Sequence, residues 1–255
     1  MNAGTNRSPT SSQKSGPDFS LVDLHAHLTK SLTVEQMVQL AQKRNVKLGI
    51  VEHAGANQHI GDDDALLRYV EMLDPYPVYK GIQAEGQDWA AHFSPSILDR
   101  LDYVLSDALT FPERDGRLVR LWTPEAQIDD TARSIQDFMD RYVNFNVRVM
   151  ALAIDILANP TFLPAVIAHR YNELWTEERM RKVIAAATRH SVAIEINARY
   201  RIPSATFIRL AKTEGVRFSF GSNEHGQDVG QLAYCQQMIE QCELTAADLF
   251  SPEKK

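Results

Sequence analysis

The sequence is short of several features that would place it in a specialised class of protein. Only two cysteines occur in 255 residues, and Cys235 and Cys242 stand seven positions apart on one face of a predicted helix. This spacing indicates no disulfide framework, so we expect a reducing, cytoplasmic location. Apolar runs stay well short of the roughly 20 residues that a membrane span needs. No lysine or arginine cluster stands out, so neither a membrane nor a nucleic acid is an expected partner.

Glycine-rich phosphate loops and internal repeats are also missing. No predicted strand is followed by either common phosphate-binding pattern, which argues against a nucleotide-binding Rossmann domain. Residues 1–18 are rich in serine, proline, glycine and asparagine and have no apolar signal-peptide core, so we interpret them as a disordered tail. The remainder, 19–255, has an ordinary globular composition with 44% hydrophobic residues in the whole chain, and we expect a single domain there.

What the sequence does contain is a repeated alternation of apolar and amphipathic segments. The segments that predict strands are SLVDLHAHL, KLGIVEHAG, VYKGIQAEG, DYVLSDALTF, ALAIDILAN, SVAIEINAR and VRFSFGSNEH. Amphipathic segments that predict helices follow them, such as TEERMRKVIAAATRH, whose expected N-cap is Thr176. Repeated strand-then-helix order implies parallel strands with right-handed crossovers. We therefore predict an α/β fold in which seven such units close into a barrel.

The first predicted strand carries metal-binding residue types at alternate positions. Period-two alternation places Asp23, His25 and His27 on one face and the intervening apolar residues on the other. Burying two imidazoles and a carboxylate without partners is unfavourable. A bound metal would remove that penalty. The alternative is a pair of core histidines that are hydrogen-bonded to the backbone.

Polar residues also stand at the ends of the other predicted strands, where the chemistry of α/β barrels is found. In strand order these residues are His25 and His27, Glu52 and His53, Glu85, Asp107, Asn159, then Glu195, Asn197 and Arg199, and finally Asn223, Glu224 and His225. Four of the eight histidines in the chain belong to this set. Imidazole with carboxylate suits zinc, manganese or iron, so the sequence predicts a divalent transition metal as cofactor, with one or two ions.

The order of these motifs resembles that of the PHP (polymerase and histidinol phosphatase) superfamily. DLHAHL is similar to the opening D-x-H-x-H motif of that family, LGIVEHAG to its TDH segment, and IQAEG to its third-strand glutamate motif. AIEIN is similar to the sixth-strand segment and FGSNEH to the closing D-x-H motif. The resemblance covers about residues 21–235. It implies a divergent member with a distorted, TIM-related (β/α)7 barrel and metal-dependent phosphoesterase activity.

Four positions depart from the family pattern. Glu52 and Asn223 stand where the family has aspartate, whereas Asp107 and Asn159 stand where it has histidine. The negative charge offered to metals is therefore reduced, so we expect one ion to bind more firmly than a second. The metal ligands that the resemblance implies are His25, His27, His53, Glu85, Asp107, Asn223 and His225.

Arginines near the predicted barrel mouth favour a small anionic substrate, because guanidinium groups bind phosphate and carboxylate well. Arg117 lies in the predicted hairpin TFPERDGRLVRLWTP, and Arg199 shares a predicted face with Glu195 and Asn197. The alternatives are a solvated surface hairpin for Arg117 and a buried pair with Glu195 for Arg199. The expected substrate-binding residues are Arg117, Asn159, Asn197 and Arg199.

The sequence and the resemblance together predict a metal-dependent hydrolase that uses a metal-activated water. We expect His53, His225 and Arg199 to be catalytic, the histidines as ligands or proton-transfer groups. Phosphomonoester hydrolysis is implied by the family resemblance. One alternative is an amidohydrolase or lactonase type of enzyme that cleaves C–N or C–O bonds. The other is a barrel that has lost its activity and serves as a binding protein.

Overall fold

The computed structural model describes residues 17, 19–124, 126, 128 and 131–254. The predicted tail, residues 1–18, lies outside the described residues except for Pro17. The strands are β1 (Leu21–His27), β2 (Val46–Val51), β3 (His53–Ala54), β4 (Val78–Ala84), β5 (Tyr103–Ser106), β6 (Thr110–Pro112), β7 (Leu118–Arg120), β8 (Ile156–Leu157), β9 (Ala193–Asn197) and β10 (Phe218–Gly221). The α-helices are α1 (Val34–Lys43), α2 (Asp63–Leu73), α3 (Pro95–Leu98), α4 (Ala132–Met150), α5 (Ala165–Ala168), α6 (Tyr171–Leu174), α7 (Glu177–His190), α8 (Ala205–Thr213) and α9 (Ala233–Cys242).

Seven parallel strands close into a barrel with helices around it, which confirms the predicted (β/α)7 fold. The hydrogen-bonded order is β2-β1-β10-β9-β8-β5-β4, and β4 returns to pair with β2. The short strand β3 continues β2 beyond Glu52 and also pairs with β4. β5 and β8 are shorter than the segments predicted for them. After Ser106 the chain leaves the barrel and forms the predicted antiparallel hairpin, β6–β7.

The outer helices begin where side-chain caps predict them. The Thr33 hydroxyl accepts a hydrogen bond from Gln36 N at the start of α1, and the Thr176 hydroxyl accepts one from Arg179 N at the start of α7. Both cysteines are buried with free thiols on α9. In the part of the chain that the structure describes, no helix combines the length and apolar character that a membrane crossing requires.

A layer of apolar side chains fills the barrel towards the amino ends of its strands. The Tyr103 hydroxyl on β5 donates a hydrogen bond of 2.9 Å to the Leu24 carbonyl on β1. Because β1 and β5 are not neighbours in the sheet, the Tyr103 ring crosses the barrel interior. A Cβ atom at position 81 would overlap this ring, so the close approach requires Gly81. We call Leu24, Tyr103 and Ile156 the interior apolar layer.

The end of the described chain covers this side of the barrel. Phe250 N donates to the Phe218 carbonyl over 2.8 Å, and Leu249 forms a parallel bridge with Phe218. The Phe250 side chain packs against the interior apolar layer. Polar side chains in the barrel therefore gather at the opposite side, at the carboxyl ends of the strands, where a parallel barrel presents its functional groups.

Candidate metal centre

Four imidazoles meet at the carboxyl ends of the strands. His25 and His27 end β1, His53 begins β3, and His225 follows β10. The His27 ring lies between those of His53 and His225, with centroids 4.9 Å and 4.2 Å away and interplanar angles of 22° and 15°. The His25 ring centroid is 5.1 Å from that of His27. We call these four residues the histidine cluster.

Pairing beyond the ends of two strands holds the cluster together. β1 and β10 are neighbours in the barrel, and a bridge between Ala26 and Glu224 extends their pairing into the loop after β10. His27 N donates to the Glu224 carbonyl over 2.9 Å. Since His225 follows Glu224 directly, this pairing carries its ring to His27. Asn223 turns the chain here with a positive φ of 49°, a conformation that asparagine tolerates better than most residues.

The donor atoms of the cluster fit a divalent transition metal. Ligand atoms of His27, His53 and His225 all lie within 4.8 Å of one another. Among the described residues, buried His27 Nδ1 has no hydrogen-bond partner, which is unfavourable for a polar atom unless another group occupies the space beside it. His25 Nε2 and His27 Nε2 approach to 3.1 Å. Neutral imidazole nitrogens at this spacing are the donors that zinc and related ions prefer.

The environment favours the neutral form of two members of the cluster. Burial, and then the charge of the neighbouring His25, hold the pKa of His27 well below its usual range. Burial lowers the pKa of His225 to about 4, and the charges of His25 and Arg199 add to the effect. A neutral imidazole needs to lose no proton before it binds a metal, so these shifts agree with a role as ligands.

Two carboxylates border the histidine cluster and are joined by a glutamine. Glu85 Oε1 accepts hydrogen bonds from His53 Nδ1 at 2.9 Å and from Gln83 Nε2 at 3.2 Å. Gln83 Nε2 also lies 3.4 Å from Asp107 Oδ2. Burial, and then the nearby charge of Glu85, raise the pKa of Asp107 to about 6. Burial opposes the His53 cation, but the hydrogen bond and charge of Glu85 outweigh it and raise the His53 pKa.

A buried carboxylate fixes the orientation of His25. Glu195 Oε1 lies 2.7 Å from His25 Nδ1, and both side chains are buried. This contact leaves His25 Nε2 pointing towards His27, with Gln83 Oε1 at 3.2 Å. A Cβ atom at Gly221 would overlap Glu195 Oε1 and come within 2.7 Å of His25 Cβ, so the pair needs glycine at this position. A carboxylate behind a ligating imidazole is a common means of fixing its tautomer and direction.

Three asparagines form a second polar group beside the histidines, which we call the amide cluster. Asn159 Oδ1 accepts from Asn197 Nδ2 at 2.9 Å and from Asn223 Nδ2 at 3.0 Å. Asn159 Nδ2 donates to Asp107 over 2.8 Å, and its backbone N–H donates to Glu195 over 2.6 Å. Amide groups can donate hydrogen bonds to these acids, whereas ionised carboxylates at the same positions could only accept them. The residues that depart from the family pattern at 159 and 223 therefore satisfy one another.

The two predicted arginines lie in different surroundings. Arg199 donates from Nη1 to the Asn223 carbonyl over 3.1 Å, and its side chain is exposed beside the histidine cluster. The alternative of a buried Arg199–Glu195 pair is not seen, since the hydrogen bonds of Glu195 go to His25, Asn159 and Asn197. Arg117 is exposed at the tip of the β6–β7 hairpin. Its backbone N–H donates to Asp115 Oδ1 over 3.0 Å and its carbonyl accepts from Glu113 N over 2.8 Å, so its described hydrogen bonds stay within the hairpin and the structure does not bring it to the cluster.

The Asp23 carboxylate bonds to backbone N–H groups, including that of His25 at 3.2 Å, and has no described hydrogen bond to an imidazole ring. The carboxylate also accepts hydrogen bonds from Ser222 N at 2.9 Å and from Gly230 N at 2.8 Å, which tie down the loop after β10. The prediction of one shared face was wrong because the pairing of β1 with β2 shifts between Asp23 and Ala26. A shift of one residue moves a side chain to the other face of a sheet.

Sequence reasoning also overlooked two residues that position others. Gln83 was not singled out, and Glu195 was considered only as a polar strand-end residue and as a possible partner of Arg199. The signal for Gln83 is its spacing of two from Glu85 on β4, which puts both on one face. Glu195 and Asn197 are likewise two positions apart, on β9, and so share a face. The contact of Glu195 with His25, however, joins residues 170 positions apart.

No family model matches this sequence, and no curated protein sequence matches it. Among solved structures, a histidinol phosphate phosphatase from Lactococcus lactis, in complex with zinc, L-histidinol and phosphate, is similar with a TM-score of 0.65 and 11% identity. The match covers 91% of this chain and 95% of that chain. An archaeal ribonuclease P structure with mature tRNA scores 0.41 at 14% identity, covering 87% of this chain and 88% of that one. The first likeness establishes the same kind of β/α barrel.

Proposed function

We propose that this protein is a divergent PHP-type, metal-dependent hydrolase that cleaves phosphomonoesters of a small anionic substrate. The observation that carries the proposal is the convergence of four imidazoles beside Glu85 and Asp107 at the barrel mouth, where His27 Nδ1 has no hydrogen-bond partner among the described residues. The fold likeness to a phosphatase with zinc and phosphate bound supports the choice of bond. The sequence motifs of the same superfamily add independent support.

The ligands that the geometry favours for a first ion are His27, His53 and His225, since their donor atoms lie within 4.8 Å of one another. His25, Glu85, Asp107 and Asn223 are the further ligands in our proposal, for one ion or two. A zinc, manganese or iron ion, when bound, would polarise a phosphoryl oxygen and make a water molecule more nucleophilic at neutral pH.

The protein groups around the ion have separate roles in this proposal. The exposed guanidinium of Arg199, oriented by the Asn223 carbonyl, binds the anionic group of the substrate. The raised pKa of His53 beside Glu85 suits that pair to hold and transfer a proton. Asn159 and Asn197 border the same site and donate to its buried acids. His225 completes the open side of the cluster as ligand or proton-transfer group.

The test is metal uptake together with hydrolysis. Wild-type protein, His27→Ala and the control His190→Ala, a surface histidine on α7, are incubated with zinc or manganese, desalted and measured by elemental analysis. We expect one or two ions in the wild type and the control, loss of at least one ion in His27→Ala, and hydrolysis of p-nitrophenyl phosphate only where the metal is retained.

Two results would contradict the proposal in different ways. If the wild-type protein takes up no ion at all, the remaining interpretation is a binding protein whose barrel has lost its activity. Protein that binds metal stoichiometrically but hydrolyses a lactone or an amide, and no phosphoester, would show cleavage of C–O or C–N bonds instead. A His190→Ala variant that loses its metal would show that the assay reports general damage to the protein.

A further inference from the structure

A large apolar cavity lies beside the candidate metal centre and has no role in the proposal above. Its volume is about 940 Å³, at the upper end of the range for pockets that bind small molecules. It is open to solvent between the loops after β8 and β9, the segment after β7, and helix α9. Side chains that give the cavity its apolar and aromatic character include Trp122, Phe162, Tyr200, Ile202, Tyr234 and Met238.

Two loops contribute to both the cavity and the amide cluster. Asn159 belongs to the amide cluster, and Phe162, three residues later, lines the cavity. Asn197 likewise belongs to the amide cluster, and its Oδ1 accepts a hydrogen bond of 2.9 Å from the backbone N–H of Tyr200. The Phe162 and Tyr200 rings contact each other edge to face, with centroids 4.8 Å apart. The residues of the amide cluster and the aromatic pair of the cavity therefore lie on the same two loops.

Buried hydrogen bonds hold these loops in place. The Thr161 and Tyr171 hydroxyls lie 2.6 Å apart, and the Tyr171 oxygen also accepts from Ser204 N at 3.3 Å. On the opposite wall the Tyr234 hydroxyl donates to the Pro203 carbonyl over 2.7 Å. These bonds connect the loop after β8, the start of α8 and helix α9. A cavity whose walls are already ordered binds a rigid ligand without the entropic penalty of ordering them.

The chemistry of the walls favours an uncharged aromatic group. None of the described residues that line the cavity is an aspartate or a glutamate. The lining arginine, Arg201, has its guanidinium 4.9 Å from the centre of the Tyr234 ring and bonded to Gln237, so its charge already has protein partners. Aromatic walls attract aromatic ligands through edge-to-face and offset contacts. The charged part of a ligand has its partners next to these two loops, at Arg199, which directly precedes Tyr200, and at the histidine cluster.

We propose that this cavity binds the aromatic leaving group of an aryl phosphomonoester whose phosphate lies at the histidine cluster and Arg199. The inference rests on the proposed function and gives it a substrate class. In the reaction, the bond between phosphorus and the aryl oxygen breaks, and water provides the oxygen of the new P–O bond. The aryl oxygen leaves with a proton as a phenol, and no other reactant is required.

The test fills the cavity from its exposed rim. Ala165→Trp places an indole at an exposed position that lines the cavity. The control Leu118→Trp adds the same group on the β6–β7 hairpin, where Leu118 is 64% exposed and outside the cavity. Calorimetry with 2-naphthol measures binding without hydrolysis. We expect wild type and control to bind alike and Ala165→Trp to bind at least tenfold more weakly.

Steady-state kinetics with metal-loaded protein provide the second measurement. We expect the wild type to prefer 1-naphthyl phosphate over glycerol 2-phosphate through a lower KM. Ala165→Trp should reduce this KM preference at least tenfold, whereas the control should keep it within twofold. Trp122→Ala, which removes one aromatic wall, serves as a second variant and should shift the same ratio in the same direction.

The outcomes distinguish a failure of this inference from a failure of the proposed function. If 2-naphthol fails to bind wild-type protein, or binds Ala165→Trp as tightly as the control, the inference is overturned, even if phosphoesters are hydrolysed. If 2-naphthol binding follows the cavity variants but metal-loaded protein hydrolyses neither phosphoester, the proposed function is wrong and the aromatic specificity of the cavity is supported.

Discussion

The two ends of the barrel interior are built on the same strands, but one end is lined by apolar side chains and the other by polar ones. Strand β1 contributes Leu24 to the interior apolar layer and His25 and His27 to the histidine cluster. At the amino end the side chains are mainly apolar, and the Tyr103 hydroxyl is hydrogen-bonded to the Leu24 carbonyl. At the carboxyl end, polar groups bond to one another, yet His27 Nδ1 has no partner in the part of the chain that the structure describes. One end of the barrel interior therefore stabilises the fold, and the other retains groups that can bind a ligand.

Truncating the largest side chain of the interior apolar layer should produce the greatest loss of stability. Tyr103→Ala removes the ring that crosses the barrel and leaves a cavity, so the free energy of unfolding should fall by about 3–5 kcal/mol, as for other large core truncations. Urea denaturation of metal-free protein measures the change. Metal content per folded molecule at low temperature should stay that of the wild type. Loss of the ion in the folded variant would show that metal binding at the carboxyl end depends on packing at the amino end.

Removing the carboxylate behind His25 should affect the opposite end. Glu195→Gln retains the shape but no longer fixes the imidazole as an anion does, and losses of this kind typically weaken metal affinity by about 10–100-fold. Competition with a chelating dye measures the affinity. Glu224→Gln, at the half-buried neighbour of His225, is a control of the same chemistry and should change affinity far less. Equal losses in both variants would contradict a specific role for Glu195.

The pH dependence of stability should reveal the buried neutral imidazole. Because the folded-state pKa of His27 is lowered, the unfolded chain binds a proton there below about pH 6.5 that the folded chain does not. The stability of metal-free protein should therefore fall as pH drops below about 6.5, at a rate from this group of at most about 1.4 kcal/mol per pH unit. Comparing wild type with His27→Gln between pH 5 and 7.5 isolates the contribution. A pH-independent difference would contradict the lowered pKa.

The smallest effect is expected outside the barrel. Thr176→Ala removes the N-cap hydrogen bond to Arg179 N on α7 and should lower the free energy of unfolding by about 1 kcal/mol. Thermal denaturation measures the change, and Thr176→Ser, which keeps the hydroxyl, should restore most of it. Metal affinity should not change in either variant. A change in affinity would mean that the helical layer influences the cluster directly.

Local patterns in the sequence predicted much of the fold and part of the site. Alternating strands and helices predicted the closed barrel, and Thr176 was correctly placed as a helix cap. The histidines at three strand ends do converge, because parallel strands bring their carboxyl ends together. Metal binding by His25, His27 and the other predicted ligands stays a prediction, as does a single domain over 19–255.

What sequence patterns could not predict depends on long-range register. The His25–Glu195 contact joins side chains 170 positions apart, and it is determined only when β1 and β9 take their places on either side of β10. The shift in β1 between Asp23 and Ala26 is equally invisible in an alternating pattern. The contact between the Phe162 and Tyr200 rings arises from two loops whose conformations depend on partly buried hydrogen bonds.

The crowding at Gly221 limits how this sequence can vary. A methyl group there would occupy the space of the Glu195 carboxylate and lie 2.7 Å from His25 Cβ, so alanine at 221 is compatible with the fold only if the side chain at 195 becomes shorter and His25 also shifts. In a library randomised at both positions and selected for folded protein, side chains at 221 should be recovered together with small residues at 195. The two positions would then covary, although it is the orientation of a third residue, His25, that ties them together.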